Sequence, residues 1–218
     1  LRNKELKVSR MMGYFLDATV EIIEQEGIEN VTIRQIAERA GYNSATIYNY
    51  FQEVSHLIFF AAMKFLKKYT DALPGCIAAA ENPVEKFLLV WDCFCRFSFA
   101  EPKIYHAIFT ADLGSQPHSL LKNYYGTFPA DLDNLPDELK HMLLEPDLSK
   151  RGRIALEECI KEGFIEQEKA EELNEMLILI WQGMLTMILN NRRSYTPQEA
   201  AEKTMKYIRE IVRQHTRK

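Results

Sequence analysis

Glycine and proline are scarce in this 218-residue chain, at nine and eight residues. A loop-rich all-β chain carries about twice that share, so helices are favoured from the outset. Cysteine is scarce too, and four in this length make no disulfide scaffold. Cys93 and Cys95 stand two apart, on different sides of a helix, while Cys76 and Cys159 stand alone; the pattern predicts buried, reduced thiols in a cytoplasmic protein. A basic excess is missing as well. The formal net charge of -4 excludes a protein that holds nucleic acid by bulk charge alone, though not one with a local basic footprint. The longest apolar stretch, residues 176–189, is interrupted by Gln182, Gly183 and Thr186. It falls short of the ~20 residues of a membrane span, and no apolar signal core follows the basic first ten residues. A soluble protein with no membrane partner is expected.

Catalytic signatures are equally absent. There is no G-x-S-x-G, P-loop or dinucleotide fingerprint. The acidic pairs Glu157–Glu158 and Glu171–Glu172 are adjacent on helix surfaces rather than opposed across a cleft. His106, Asp112 and His118 lie close in sequence but match no established ligand spacing. No enzyme, cofactor or metal site is expected.

What remains is a globular composition, 47% apolar and 27% charged, and enough chain to remove roughly 70% of its unfolded surface from water. Punctuation divides it into helices over about 4–26, 33–40, 44–51, 55–73, 83–99, 102–111, 118–125, 136–144, 148–162, 168–190 and 197–215. Gly27 stops the first, Pro74 ends the fourth, and Asn82-Pro83, Glu101-Pro102 and Thr196-Pro197 open three others. No segment alternates with period two for long enough to be a strand. The fold class is all-α.

The informative stretch is residues 32–51, TIRQIAERAGYNSATIYNYF. Ile33, Ile36, Ala37 and Ala40 recur at helical spacing and define one buried face, with Thr32 placed to cap it. Gly41 suits a tight turn that needs positive φ. Asn43 suits the N-cap of a second helix, in which Ile47 and either Tyr50 or Phe51 face inward. Two short helices around a small-residue turn make a helix-turn-helix. The outward face then holds Ser44, Ala45, Thr46, Tyr48 and Asn49. Small residues allow close approach to a groove, hydroxyls reach phosphate oxygens, and Asn can pair with adenine N6 and N7. On periodicity alone an ordinary helical hairpin with a polar face remains open.

Thr32, Arg34, Ile36, Ala37, Ala40 and Gly41, followed by Ile47-Tyr48 and Tyr50-Phe51, resemble the DNA-binding signature of tetracycline-repressor-like (TetR family) regulators over some 20 ungapped residues. The resemblance covers about residues 5–60. It implies a DNA-binding domain at residues 1–54 and a helical ligand-binding and dimerisation domain at 55–218. It further implies that Thr32 touches a phosphate, that Ser44, Ala45 and Asn49 lie near base edges, and that Thr46 and Tyr48 bond phosphates. Tyr50 and Phe51 would lock the motif to neighbouring helices. The chain departs from the pattern at Val54, where such proteins commonly carry a phosphate-binding Lys.

Within residues 1–56 the acids outnumber the bases, yet residues 1–10 hold four cations, Lys4 and Lys7 among them, against Glu5. A flexible basic arm along the DNA backbone or minor groove is one expectation, a solvated tail the other. Toward the C-terminus, the segment from Met176 is apolar nearly all round, and the last helix carries Ala201, Met205, Ile208 and Val212 as a stripe with Lys203, Lys206, Arg209 and Arg213 outside. These suit a homodimer closed by a four-helix bundle, which would present two recognition helices to a palindromic double-stranded operator. In the aromatic-rich middle, Trp91, Cys95, Phe109, Tyr124 and Trp181 are the candidates for contacting a small apolar or aromatic effector. The expected function is a one-component regulator, a repressor released by its effector. A DNA-binding regulator without an effector and an all-α small-molecule-binding protein with a degenerate motif are the alternatives.

Overall fold

A computed structural model of the chain describes residues 2–111, 117–133 and 135–217, and the side chains of 6–111, 119–133 and 135–217. Eleven α-helices run through the described residues: α1 (Arg2–Glu26), α2 (Ile33–Ala40), α3 (Ser44–Ile47), α4 (Val54–Ile77), α5 (Pro83–Ala100), α6 (Pro102–Phe109), α7 (Pro117–Thr127), α8 (Asp137–Leu143), α9 (Leu148–Lys161), α10 (Ala170–Leu189) and α11 (Pro197–His215). Among the described residues there is no strand, only an isolated bridge between Ile165 and Thr216. The capping residues read from the sequence close the helices they precede. Asn82 accepts from the Glu85 amide at the start of α5, and Thr196 and Glu199 form a reciprocal capping box on α11.

One boundary decides between two expectations, and three others differ from expectation. Residues 2–10 are the first turns of α1, in keeping with the helix expected from about residue 4 and not with the flexible arm, because nothing before Gly13 breaks a helix. The Lys4 side chain lies outside the described residues. Helix α3 stops at Ile47, and residues 48–50 form a turn in which the amides of Tyr50 and Phe51 share the Ile47 carbonyl. Helix α4 continues through Pro74 to Ile77. A proline there removes only a hydrogen bond close to the helix end, where it costs least. Helix α6 closes at Phe109, where the amides of Thr110 and Ala111 both turn back to the His106 carbonyl.

The chain divides into two compact units, Leu1–Lys67 with Lys103–Asp133, and Lys68–Pro102 with Asn134–Lys218. In the first unit Phe15, Leu16, Ile22, Ile36, Ile47, Phe51 and Leu57 are buried together with Thr19, whose hydroxyl donates to the Phe15 carbonyl at 2.7 Å. The Phe60 ring meets Phe51 at 5.6 Å and Tyr124 at 5.3 Å. Tyr124 donates to Asp131 Oδ2, and Lys64 pairs with the same carboxylate at 2.9 Å.

The second unit is built around Trp181 of α10, fully buried, its ring 5.0 Å from Phe94 and its Nε1 donating to Ser98 Oγ at 2.9 Å. Ala201, Met205, Ile208 and Val212 of α11 are buried as their spacing predicts. Helices α9 and α10 meet at Gly152. A methyl group added there would run into the Asn174 carboxamide oxygen. Asn174 is itself held by Nδ2, which donates to the Ser149 carbonyl at 2.7 Å. One expectation is corrected: counted from Gln167, the segment to Leu189 is long and apolar enough by length and composition to cross a membrane. In this unit one side of it, Leu173, Leu177, Trp181 and Leu185, is core, while Leu179 and Met187 are exposed.

Candidate nucleic-acid interface

Thr32 is the N-cap of α2. Its hydroxyl oxygen accepts from the Gln35 amide at 3.3 Å, and Gln35 Oε1 accepts from the Thr32 amide at 3.1 Å. At the other end Gly41 sits at φ 75°, in the left-handed region where a side chain strains the backbone. Its amide and that of Tyr42 return to the Glu38 and Ala37 carbonyls and reverse the chain within three residues. The Tyr42 ring packs edge-on against Phe15 at 5.4 Å, which fixes the turn to α1.

Asn43 then opens α3. Its Oδ1 accepts from the Thr46 amide at 2.9 Å and from the Thr46 hydroxyl at 3.0 Å. With four residues in the helix, this cap supplies much of its order. Ile47 and Phe51 point inward and are buried, and Tyr50, half-buried, lies 5.9 Å from the Phe15 ring. The remaining positions of the motif face outward. Ala45 and Asn49 are exposed, Ser44 and Thr46 half-buried, and Tyr48 is 54% exposed. An exposed tyrosine beside small polar residues on a cap-fixed segment offers hydrogen-bonding groups with little steric bulk around them.

Charge around this surface is sparse. Arg39 is engaged with α1: Nη1 donates to Gln25 Oε1 at 2.7 Å, and Glu21 and Glu26 lie within 3.8 Å. Lys7, Arg10 and Arg34 are exposed. Arg34, in the first turn of α2, entered the sequence reading as part of the signature and not as a contact. Only its exposure next to the capped turn marks it, and a single charge on a helix carries no pattern. Val54 is the first residue of α4, and the preceding Glu53 carboxylate accepts from Ser55 Oγ at 3.0 Å. Where the resembling proteins carry a cation, this chain presents an apolar residue beside an acid.

The five candidate effector contacts fall in both units. Trp91 lines a cavity of about 40 Å³ with Tyr69, Phe94, Met142, Leu148 and Arg151. Cys95 and Trp181 are fully buried in the same unit, with the Trp181 N–H taken by Ser98. In the other unit Phe109 stacks on Tyr105 at 5.9 Å. Burial and the Asp131 carboxylate push the Tyr124 phenol well above its ordinary range, so it stays a neutral donor. His106 Nδ1 pairs with Thr110 Oγ1. Asp112 and the side chain of His118 lie outside the described residues, and the rest hold no cluster of three metal-ligating groups.

Comparison with known proteins places this geometry. Residues 15–56 match the model described as bacterial regulatory proteins, tetR family. No curated protein matches the chain. Its fold is similar to that of FadR from Thermus thermophilus, a TetR-family transcriptional repressor solved with lauroyl-CoA: TM-score 0.60, 17% identity, 92% of this chain and 93% of that one. It is similar also to RolR solved with resorcinol, at TM-score 0.61 and 17% identity over 100% and 97% of the two chains. A TetR transcription regulator from Haloarcula marismortui gives 0.59 at 16% identity over 96% and 100%. Residues 15–56 thus match the DNA-binding domain of tetR-family bacterial regulatory proteins, and the chain as a whole has a fold similar to that of solved TetR-family regulators.

Proposed function

We propose that the chain is a cytoplasmic repressor that binds a palindromic operator as a homodimer and leaves it when a small apolar or aromatic effector binds. The observation that carries this reading is the outward face of α2 and α3, held rigid by two caps and two inward aromatic anchors. Residues 1–54 bind DNA: Thr32, Thr46 and Tyr48 bond phosphates, Ser44, Ala45 and Asn49 approach base edges, and Lys4 and Lys7 add charge along the backbone. With so few cations, affinity falls only gently with salt, because each neutralised phosphate contributes ~0.9 to the slope.

Residues 55–218 bind the effector and dimerise. Leu179 and Met187 of α10 and Tyr207 of α11 are large apolar side chains left exposed on helices whose other sides are core. A second copy seated there would complete a four-helix bundle and bring two α3 helices to one DNA duplex. Effector binding is supported by two similar folds, one solved with lauroyl-CoA and one with resorcinol. A cavity of about 40 Å³ beside Trp91 holds little more than one water, whose share of the liquid is ~30 Å³. An effector entering there must part α5 from α9, and such a movement couples ligand to DNA.

Selection of bound duplexes from a random DNA pool tests the reading. Enrichment of a two-fold symmetric sequence supports a dimeric operator binder and supplies the probe for effector release. A folded dimer that enriches nothing would leave only the small-molecule-binding alternative. A palindrome that no apolar or aromatic compound displaces would favour a regulator without an effector.

A further inference from the structure

Two of the cysteines that stand apart in sequence are neighbours in the second unit. Cys76 lies in the turn that α4 adds beyond Pro74, Cys93 lies on α5, and their Sγ atoms are 2.7 Å apart. Unbonded heavy atoms rest at about 3.5–4.0 Å, and a disulfide closes at about 2.05 Å, so the sulfurs are nearer to bonding than to mere contact. The helices that carry them are held in place around the pair. Leu73 is fully buried, and the Tyr69 ring meets Phe94 at 5.7 Å and Phe97 at 6.0 Å. The two sulfurs differ in setting. Cys76 is half-buried, with Arg96 Nη2 donating toward its Sγ at 3.6 Å, whereas Cys93 is fully buried.

The geometry points to a reversible modification site: Cys76 and Cys93 are a dithiol that a hydroperoxide oxidises to an intrachain disulfide. The accessible Cys76 sulfur reacts first. As thiolate it attacks one peroxide oxygen, the O–O bond breaks, and the departing alkoxide or hydroxide takes up the proton that Cys76 released. Cys76 becomes a sulfenic acid. The Cys93 sulfur then attacks Cys76 Sγ and displaces hydroxide, which leaves as water with the Cys93 proton. In sum two thiols and one hydroperoxide give one disulfide, one alcohol or water, and one further water. The two electrons lost by sulfur reduce the peroxide. A thiol reductant reverses the step by exchange. Cys95 and Cys159 do not start the reaction, because both are fully buried with thiols raised by burial; Cys93 is buried and raised as well, and takes part only because its sulfur lies against that of Cys76. The closed disulfide would fasten the last turn of α4 to α5. This site does not depend on the DNA-binding reading.

The test is peptide mapping of the whole native chain after limited hydrogen peroxide, with remaining thiols alkylated before digestion. The expected product is one linked peptide joining Cys76 and Cys93, two hydrogens lighter than the reduced pair, with Cys95 and Cys159 alkylated in full only after unfolding. Dithiothreitol should restore all four thiols. In Cys93→Ser, which keeps the volume nearly unchanged, Cys76 should stop at a sulfenic acid that dimedone traps. In Cys76→Ser, Cys93 should remain a thiol under the same treatment. Circular dichroism confirms that each variant is folded. A linked peptide that includes Cys95 or Cys159, a Cys76–Cys76 link between chains, or four unmodified thiols at peroxide levels that oxidise free cysteine would overturn the inference.

Discussion

Asn43 is the residue whose removal most cleanly separates order in α3 from contact with DNA. Its Oδ1 holds both the amide and the hydroxyl of Thr46, at 2.9 and 3.0 Å. Asn43→Ala deletes both bonds from a helix of four residues. An N-cap is worth ~1 kcal/mol, up to ~2 in protein hosts, and the released Thr46 groups are near enough to solvent to recover part of it. A loss of about 1 kcal/mol lowers the midpoint of thermal unfolding by ~2–4 °C for a chain of this size. The same energy lowers the ordering equilibrium constant of α3 by about fivefold, and DNA affinity should fall by up to that factor. Asn43→Asp is the control. The carboxylate caps as well as the amide does, so the melting midpoint should stay near that of the parent. DNA affinity should still drop, because an anion then stands at the recognition surface. Calorimetry with fluorescence anisotropy on one labelled duplex reads both quantities. If Asn43→Ala leaves the midpoint and the affinity unchanged, the cap does not order α3 and the geometric argument for the recognition surface collapses.

Other perturbations probe separate parts of the account. Val54→Lys restores a cation where the resembling proteins carry one, so affinity for all duplexes should rise and the salt slope steepen by ~0.9; an unchanged slope would place Val54 away from phosphate. Asn49→Ala should relax base preference at one position per half-site, at a cost of ~1–3 kcal/mol there, whereas Tyr48→Phe should weaken every sequence about equally. Sequence logos from the two variants distinguish these outcomes, and an unaltered logo for Asn49→Ala removes that residue from base reading. Gly152→Ala pushes a methyl into Asn174 and should cost ~1–3 kcal/mol in urea unfolding. Its effect should be non-additive with Asn174→Ala; strict additivity would mean that the helices do not meet at that point.

Local chemistry made most helices legible in the sequence. Asn82, Thr32, Asn43 and Thr196 are side chains that satisfy orphan amides wherever they precede an apolar-periodic run, and each caps its helix. The stripe of α11 was equally plain, because a helix with one wet face has one dry one. What escaped depends on tertiary context. Pro74 reads as a terminator, yet α4 passes it, since packing of Tyr69 and Leu73 offsets one lost hydrogen bond. Cys76 therefore looked solitary, though that added turn brings it to Cys93. The basic start of the chain looked like an arm because charge says nothing about backbone order. Aromatic density suggested contacts for an effector, but Trp181 and Tyr124 spend their polar groups on Ser98 and Asp131 inside the core. Trp91 is buried too but lines the small cavity, and neither its setting nor theirs is written in composition.

The central claim is that the face presented by α2 and α3 reads a specific DNA sequence. Its most direct test is equilibrium binding of the selected duplex and a scrambled duplex of equal length, at several salt concentrations. The account predicts affinity for the selected duplex at least ~10³ times higher, a ratio that persists as salt rises, with a shallow slope for both. Equal affinities that fall together with salt would contradict it, and would show a surface that meets DNA by charge without reading it.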